Sequence, residues 1–418
     1  TTTMRSQNIS LRVLIFFTSF LPISALAADW TEFRGGNSGG RAEATNLPAQ
    51  WSSSENIQWR TELPGQGWSS AVTSDGQVFL TAAVPVEETT EYDLVLLCLD
   101  GKSGKIVWQT TALKQQAASP KIHGKNTHAS PTPVIVGDRI VVHFGHQGTA
   151  CLDRDGAVIW RNRELTYPPV HGNGGSPVVV DGRVIFSCDA ASDPFMAALA
   201  LDDGRLLWKT ARSVEATRKF SFSTPVVVQW KGKTQIVSSG SDAVWSYNLD
   251  GEELWHVRYD GYSVVPKPVF ANGLIYVCTG FNQPSLLAIR PGGQGDATDT
   301  HLEWAIKRRV PHTPSVVVTD KLLFMVSDDG VASCLNAITG DSIWTERLAG
   351  KGFSSSPILA DGKVYFTSEN GVTTVIAMSD KFEKIAENKI DERTLASMGV
   401  VDSSLLLRTD AALYRITK

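Results

Sequence analysis

The sequence predicts an all-β fold, an eight-bladed β-propeller of four-stranded antiparallel blades, and three observations carry that reading. Trp59, Trp108, Trp160, Trp208, Trp255, Trp304 and Trp344 recur at successive differences of 49, 52, 48, 47, 49 and 40 residues, the period of a four-stranded blade. Between them one phrase repeats, an apolar run, a tight turn and a second apolar run, as in SPVVVDGRVIFSC; β-branched residues flanking Asp-Gly are a strong hairpin signal. Finally, the two ends of the chain complement one another. LASMGVV, SLLLRT and ALYRIT supply three strands near the C-terminus, and ENIQWRTEL supplies a fourth that ends around Trp59. Closure by strands from both ends removes the exposed edges of an open sheet. A seven-bladed ring is the alternative.

Within a blade, the hairpin makes the two inner strands, recurring as SPTPVIVGDRIVV, PKPVFANGLIYV, PSVVVTDKLLFM and SSPILADGKVYF. The third strand carries a small apolar position, filled by Cys98, Cys151 and Cys334 in three blades. A turn follows in which Gly104, Gly156, Gly204, Gly251 or Gly340 supplies positive φ and an Asp bonds nearby amides. The fourth strand ends at the tryptophan, whose ring is expected to pack between blades while its indole N–H finds an acceptor. In the seventh blade Ile385 is expected in the tryptophan position. The Ser or Thr that precedes the inner strands (ASP, GSP, STP, HTP, SSP) reads as local turn chemistry.

The N-terminus has the pattern of an export leader: Met4, basic Arg5 and Arg12, the apolar run VLIFFTSFLPISALA, and small residues up to a cleavage point near Ala27. Residues 1–27 are therefore assigned to a leader with its upstream residues, 28–50 to a Gly-rich segment and 51–418 to the propeller, with a periplasmic or secreted destination and no stable membrane span. The RGGNSGG stretch, Arg34 to Gly40, lacks the preceding strand and following helix of a phosphate loop and reads as a flexible or capping segment. A net charge of −4 gives no basic face for nucleic acid. The five cysteines read as buried small apolar residues, because equivalent positions in separate blades lie far apart.

Loops that enter the innermost strands converge on one mouth of the channel. Trp68, His128, His171, Asn173, Arg218, Tyr262, Lys267 and His312 lie in those loops and are the candidate binding residues. His123, His128, His143, His146 and His171 cluster in sequence, but no carboxylate or cysteine pattern completes a ligand set, so no metal site is assigned. Asp153 with Asp155, and Asp202 with Asp203, fall in third-to-fourth-strand turns and read as turn residues. No catalytic residue is assigned.

CLDGKSGKIVW and CLNAITGDSIW resemble the docking phrase of the pyrroloquinoline-quinone (PQQ) repeat family, and the resemblance covers nearly all of Trp51 to Lys418. It implies an exported bacterial propeller related both to quinoprotein dehydrogenases and to the outer-membrane assembly lipoproteins. PQQ and calcium are implied as cofactors only by the first relationship, whose adjacent-cysteine pair and calcium ligands have no match here. The lipidated cysteine of the second group is absent too. The expectation is a monomeric, noncatalytic propeller that binds a small-molecule ligand or protein partner at the channel mouth. A PQQ-dependent oxidoreductase with a reorganised axial site is the alternative.

Overall fold

The computed structural model describes residues 29–35, 39–115 and 121–418, together with Thr2; the expected leader falls outside the described residues. These residues form eight sheets, each built on four antiparallel strands. Blade 1 runs from Val72–Ser74 to Ile106–Lys114, and blades 2 to 7 follow in chain order. Blade 8 combines Gly399–Val401, Ser404–Arg408 and Ala412–Ile416 with Ile57–Glu62, which pairs antiparallel to Ala412–Ile416 and sets Trp59 opposite Arg415. The ring is thus closed by strands from both ends, as expected from the sequence. No helix among the described residues is long and apolar enough to cross a membrane.

The hairpin turns adopt the backbone that their residues favour. Asp181 and Gly182 have φ of 48° and 68°, and Asp361 and Gly362 have φ of 52° and 68°, which are positive at both central positions as a two-residue type I′ connection requires.

The tryptophans form the seams. Trp160 Nε1 donates to Leu201 O in blade 3 at 2.8 Å, Trp208 to Leu249 O at 2.9 Å, and Trp59 to Gly101 O at 3.0 Å. Each indole lies against the turn glycine of the following blade; a Cβ on Gly204 would come within 2.4 Å of the Trp160 ring. The small third-strand position is explained by register, because Cys98, Cys151 and Cys334 stand directly across from Trp108, Trp160 and Trp344. All five cysteines are free and buried. Trp255 departs from the pattern: it donates to Gln235 Oε1 within its own blade at 3.1 Å.

The seventh blade corrects the sequence reading. A bulge precedes the tryptophan position in each outer strand, and here it places Ala386 opposite Val375, with Lys384 opposite Ile376. Ala386, rather than Ile385, holds the tryptophan position, and Ile385 is exposed. The volume that an indole would occupy is taken from elsewhere in the chain. Trp51, just before the closing strand, is buried in the cluster that Ala386 packs against, stacks on Tyr365 with ring centroids 6.4 Å apart, and donates its backbone N–H to Asn388 Oδ1.

Ser130 keeps the local turn bonding expected of it, to Asn126 and Thr127, whereas the Ser and Thr residues at the inner-strand entries act differently from expectation. They bond the neighbouring blade. Ser70 N donates to Thr132 Oγ1, Thr132 N to Ser176 Oγ, and Ser176 N to Thr224 Oγ1, each at 2.9 Å. On the far side Lys267 N donates to Ser315 Oγ at 3.0 Å, Ser315 N to Ser356 Oγ at 2.9 Å and Ser356 N to Ser397 Oγ at 2.9 Å. A belt of hydroxyls therefore stitches the ring around its axis, with Lys267 in the blade 5 position.

Candidate functional site: an aromatic cup at the channel mouth

The channel is filled from one side by the segment before Trp51. Trp30 O accepts from Thr73 N in blade 1, and the Thr31 carbonyl accepts from Ile135 N in blade 2. Arg34 Nη2 donates to Val316 O of blade 6 at 2.7 Å and to Pro357 O of blade 7 at 3.3 Å. The chain then turns back, and Arg41–Ala42 adds a parallel strand to the innermost strand of blade 7, Ile358–Ala360. The described parts of the RGGNSGG stretch thus lie inside the ring. Arg34 is 1% exposed, and burial pushes its guanidinium down to about 9.

Above this plug opens a cavity of about 580 Å³ to which every blade contributes, within the size range of small-molecule sites. Phe33, near the tip of the plug, forms part of its lining. Five ring contacts run along the wall from blade 2 to blade 6. His123 meets His171 with centroids 5.6 Å apart, His171 meets Phe220 at 5.4 Å, and Phe220 meets Tyr262 at 5.8 Å. Tyr262 then meets Phe281 at 5.6 Å, and Phe281 meets His312 at 5.6 Å. Phe281 is 52% exposed, so this arc presents apolar edge and face to anything that enters.

The polar groups divide into committed and open ones. Asp328 accepts from the backbone N–H groups of His312 and Thr313 at 2.7 and 3.3 Å. Burial alone would raise its carboxyl, but these bonds and the adjacent imidazole hold it below the usual carboxylate range. Glu369 accepts from Ser354 Oγ at 2.6 Å and from Lys125 Nζ at 2.7 Å. By contrast, Arg218 lies over the Tyr262 ring, 4.4 Å from its centroid, and donates to the Tyr262 hydroxyl. Arg393, at the rim, lies 5.7 Å from the Trp68 centroid and spends a donor on Gly124 O. Neither guanidinium has a carboxylate within ion-pair distance among the described residues.

A short loop, 121–127, spans the mouth. At one end it is held to blade 3: Ile122 bridges His171, and His171 O accepts from His123 N at 3.2 Å and from Asn126 Nδ2 at 2.9 Å. At the other end Lys125 reaches Glu369 of blade 7, and Gly124 O accepts from Arg393 of blade 8 at 3.2 Å.

Of the residues expected at the mouth, Trp68, His171, Arg218, Tyr262 and His312 line the cup together. Lys267 does not. Its ammonium sits beneath, with a fully buried side chain, 3.4 Å from Phe33 O and 3.9 Å from Glu32 Oε1. Burial pushes it below the usual lysine range. His128 and Asn173 lie behind the wall: His128 packs on Tyr92 with centroids 4.7 Å apart, and Asn173 bonds His146 Nδ1 and the Tyr167 hydroxyl at 3.0 and 3.2 Å. Burial pushes His146 down to about 4 and the nearby His143 down to about 3. Among the described residues, no group of three His, Cys, Asp or Glu side chains is placed to hold a metal ion.

Phe281, Asp328 and Glu369 were not anticipated. They come from connections between the second and third strands, which return to the same mouth as the loops entering the inner strands. Phe220 did carry a signal, since it is aromatic where other blades have residues such as Gly172, Ser263 and Gly352.

Comparison with known proteins agrees with this architecture. The PQQ-repeat family described as outer membrane protein assembly factor BamB matches residues 49–192, 192–312 and 293–383. The chain belongs to this family. Among solved structures, BamB from Moraxella catarrhalis superposes with a TM-score of 0.62 at 14% identity, over 87% of this chain and 97% of that one. A europium-containing methanol dehydrogenase superposes with a TM-score of 0.54 at 9% identity, covering 92% and 90% of the two chains. At these identities the likeness shows the fold alone. No curated protein sequence matches the chain.

Proposed function

We propose that this PQQ-repeat protein is an exported, noncatalytic propeller that captures a ligand or a segment of a protein partner in the cup. One observation carries the reading: an aromatic arc and the Arg218 guanidinium, which has no carboxylate within ion-pair distance among the described residues, converge on a cavity lined by all eight blades. Ring edges and faces supply apolar contact with specific geometry, and the Arg218 guanidinium favours a ligand bearing negative charge. Asp328 in the cup and Glu369 at its rim are engaged in holding the walls, Asp328 by blade 6 amides and Glu369 by Ser354 and Lys125. The export leader read at residues 1–27 and the relationship to BamB support placement outside the cytoplasm.

The experiment is capture from the native compartment. Wild type is compared with Tyr262→Ala/Phe281→Ala and with Arg218→Glu, using native mass spectrometry for a co-purifying ligand and crosslinking for a partner. Wild type should retain an occupant that both variants lose while their melting temperatures stay within a few degrees. Retention of the occupant by both variants moves the site elsewhere.

A second reading is PQQ-dependent oxidation, favoured by the aromatic lining of the cup. Arg218 suits an anionic group, but the donors do not fit calcium, because Asp328 is the one carboxylate lining the cavity among the described residues and is held by the His312 and Thr313 amides. Titration with PQQ, with and without calcium, followed by dye reduction with alcohols, tests it. Calcium-dependent binding with turnover would replace the noncatalytic reading.

A further inference from the structure

The loop over the mouth is attached unequally at its two ends. Toward blade 3 it is tied by two hydrogen bonds to His171 O and by the Ile122 bridge. Toward blades 7 and 8 it is tied by one ion pair, Lys125 to Glu369, and by the Arg393 bond to Gly124 O. In a ring of eight, blade 7 stands opposite blade 3, so the loop crosses the mouth along a diameter. Apart from these ties the tip is loosely packed, since a Cβ on Gly124 would meet nothing within 4 Å. The ion pair is partly solvated, with Lys125 46% exposed, and pairs of this kind are weak and screened by salt.

We propose that residues 121–127 are a strap hinged at His171 and latched by Lys125 on Glu369, which controls access to the cup. This rests on the cup being the binding site. Opening breaks the two distal contacts while the His171 bonds hold the near end. It removes Lys125 from the mouth and leaves Glu369 held by Ser354. An incoming anion favours the open state by competing with Glu369 for Lys125.

The test needs no ligand. Ser263 lines the cup and all five native cysteines are buried, so Ser263→Cys places a single reactive thiol inside the wall. Its labelling by a bulky neutral maleimide is timed in the full-length protein. Adding Lys125→Met or Glu369→Gln should speed labelling about two- to five-fold, the scale of one exposed ion pair. Raising the salt to about 1 M, where the Debye length falls to about 3 Å, should speed it with the latch intact and not in Lys125→Met. Unchanged rates in both latch variants overturn the strap. Faster labelling combined with failure to capture any occupant leaves the latch standing and removes the binding assignment instead.

Discussion

The seam between blades 2 and 3 and the seam between blades 7 and 8 perform the same task by different means. At the first, Trp160 lies in the middle of the outer strand Val158–Asn162, not at its end as the sequence suggested, rests on Gly204 and donates to Leu201 O. At the second, the corresponding residue is Ala386, and an indole from outside the repeat, Trp51, joins the buried cluster there. The position where repeat chemistry lapses is thus the position where the chain returns to close the ring. The N-terminal segment acts as part of the propeller: it completes the last seam, adds a strand to blade 7 and floors the cup.

The largest effect should come from the regular seam. Trp160→Ala removes a buried ring and its hydrogen bond and should cost about 3–5 kcal/mol, read as a shift in the urea midpoint. If Trp51 is the true substitute at the irregular seam, Trp51→Ala should cost nearly as much; a loss under about 1 kcal/mol would reduce it to a surface cover.

Next is a pH effect in blade 2. His143 is buried with its ring 4.2 Å from Phe186, and its imidazole is pushed from the ordinary 6.5 down to about 3. Between those values the unfolded chain takes up the proton and the folded one does not. Stability is therefore full above about pH 6.5 and falls as pH drops toward 3, by on the order of 4 kcal/mol. His143→Gln should flatten that limb of the stability profile.

Smaller effects sharpen the comparison. Ala386→Trp in the parent should overpack the occupied seam and cost about 1–3 kcal/mol, whereas the same change should recover stability in Trp51→Ala. Additive losses in the double variant would separate the two positions. Smallest is the hydroxyl belt: Ser356→Ala leaves the Ser315 N–H without its acceptor and should cost about 1 kcal/mol, seen as a modest fall in melting temperature.

The repeat made the fold legible. Its tryptophans, turn glycines and hairpin turns each obey local rules that hold in blade after blade, and the two-ended closure followed from counting strands. What it hid was whatever depends on neighbours from other blades. Ser176 and Ser356 look like turn residues until the adjacent blade's N–H is in place, and Ile385 and Ala386 are separated only by the register of a bulge. The cup was half legible. Tyr262, Arg218 and His171 could be placed by the loops they occupy, but Lys267 belongs beneath the cup because the plug reaches it there. Phe281 and Glu369 required knowing that a second set of loops opens on the same mouth.

The central claim is that the repeat builds the ring and the non-repeating mouth does the binding. The most direct measurement compares occupancy in wild type, in Tyr262→Ala/Phe281→Ala, and in Ile338→Ser, a change at an exposed residue beside the Trp304 seam. Native mass spectrometry and crosslinking should find the occupant in wild type and in Ile338→Ser and lose it only in the cup variant, with all three melting alike. An occupant kept by the cup variant and lost on the Ile338 change would place binding on the outer seam and contradict the account.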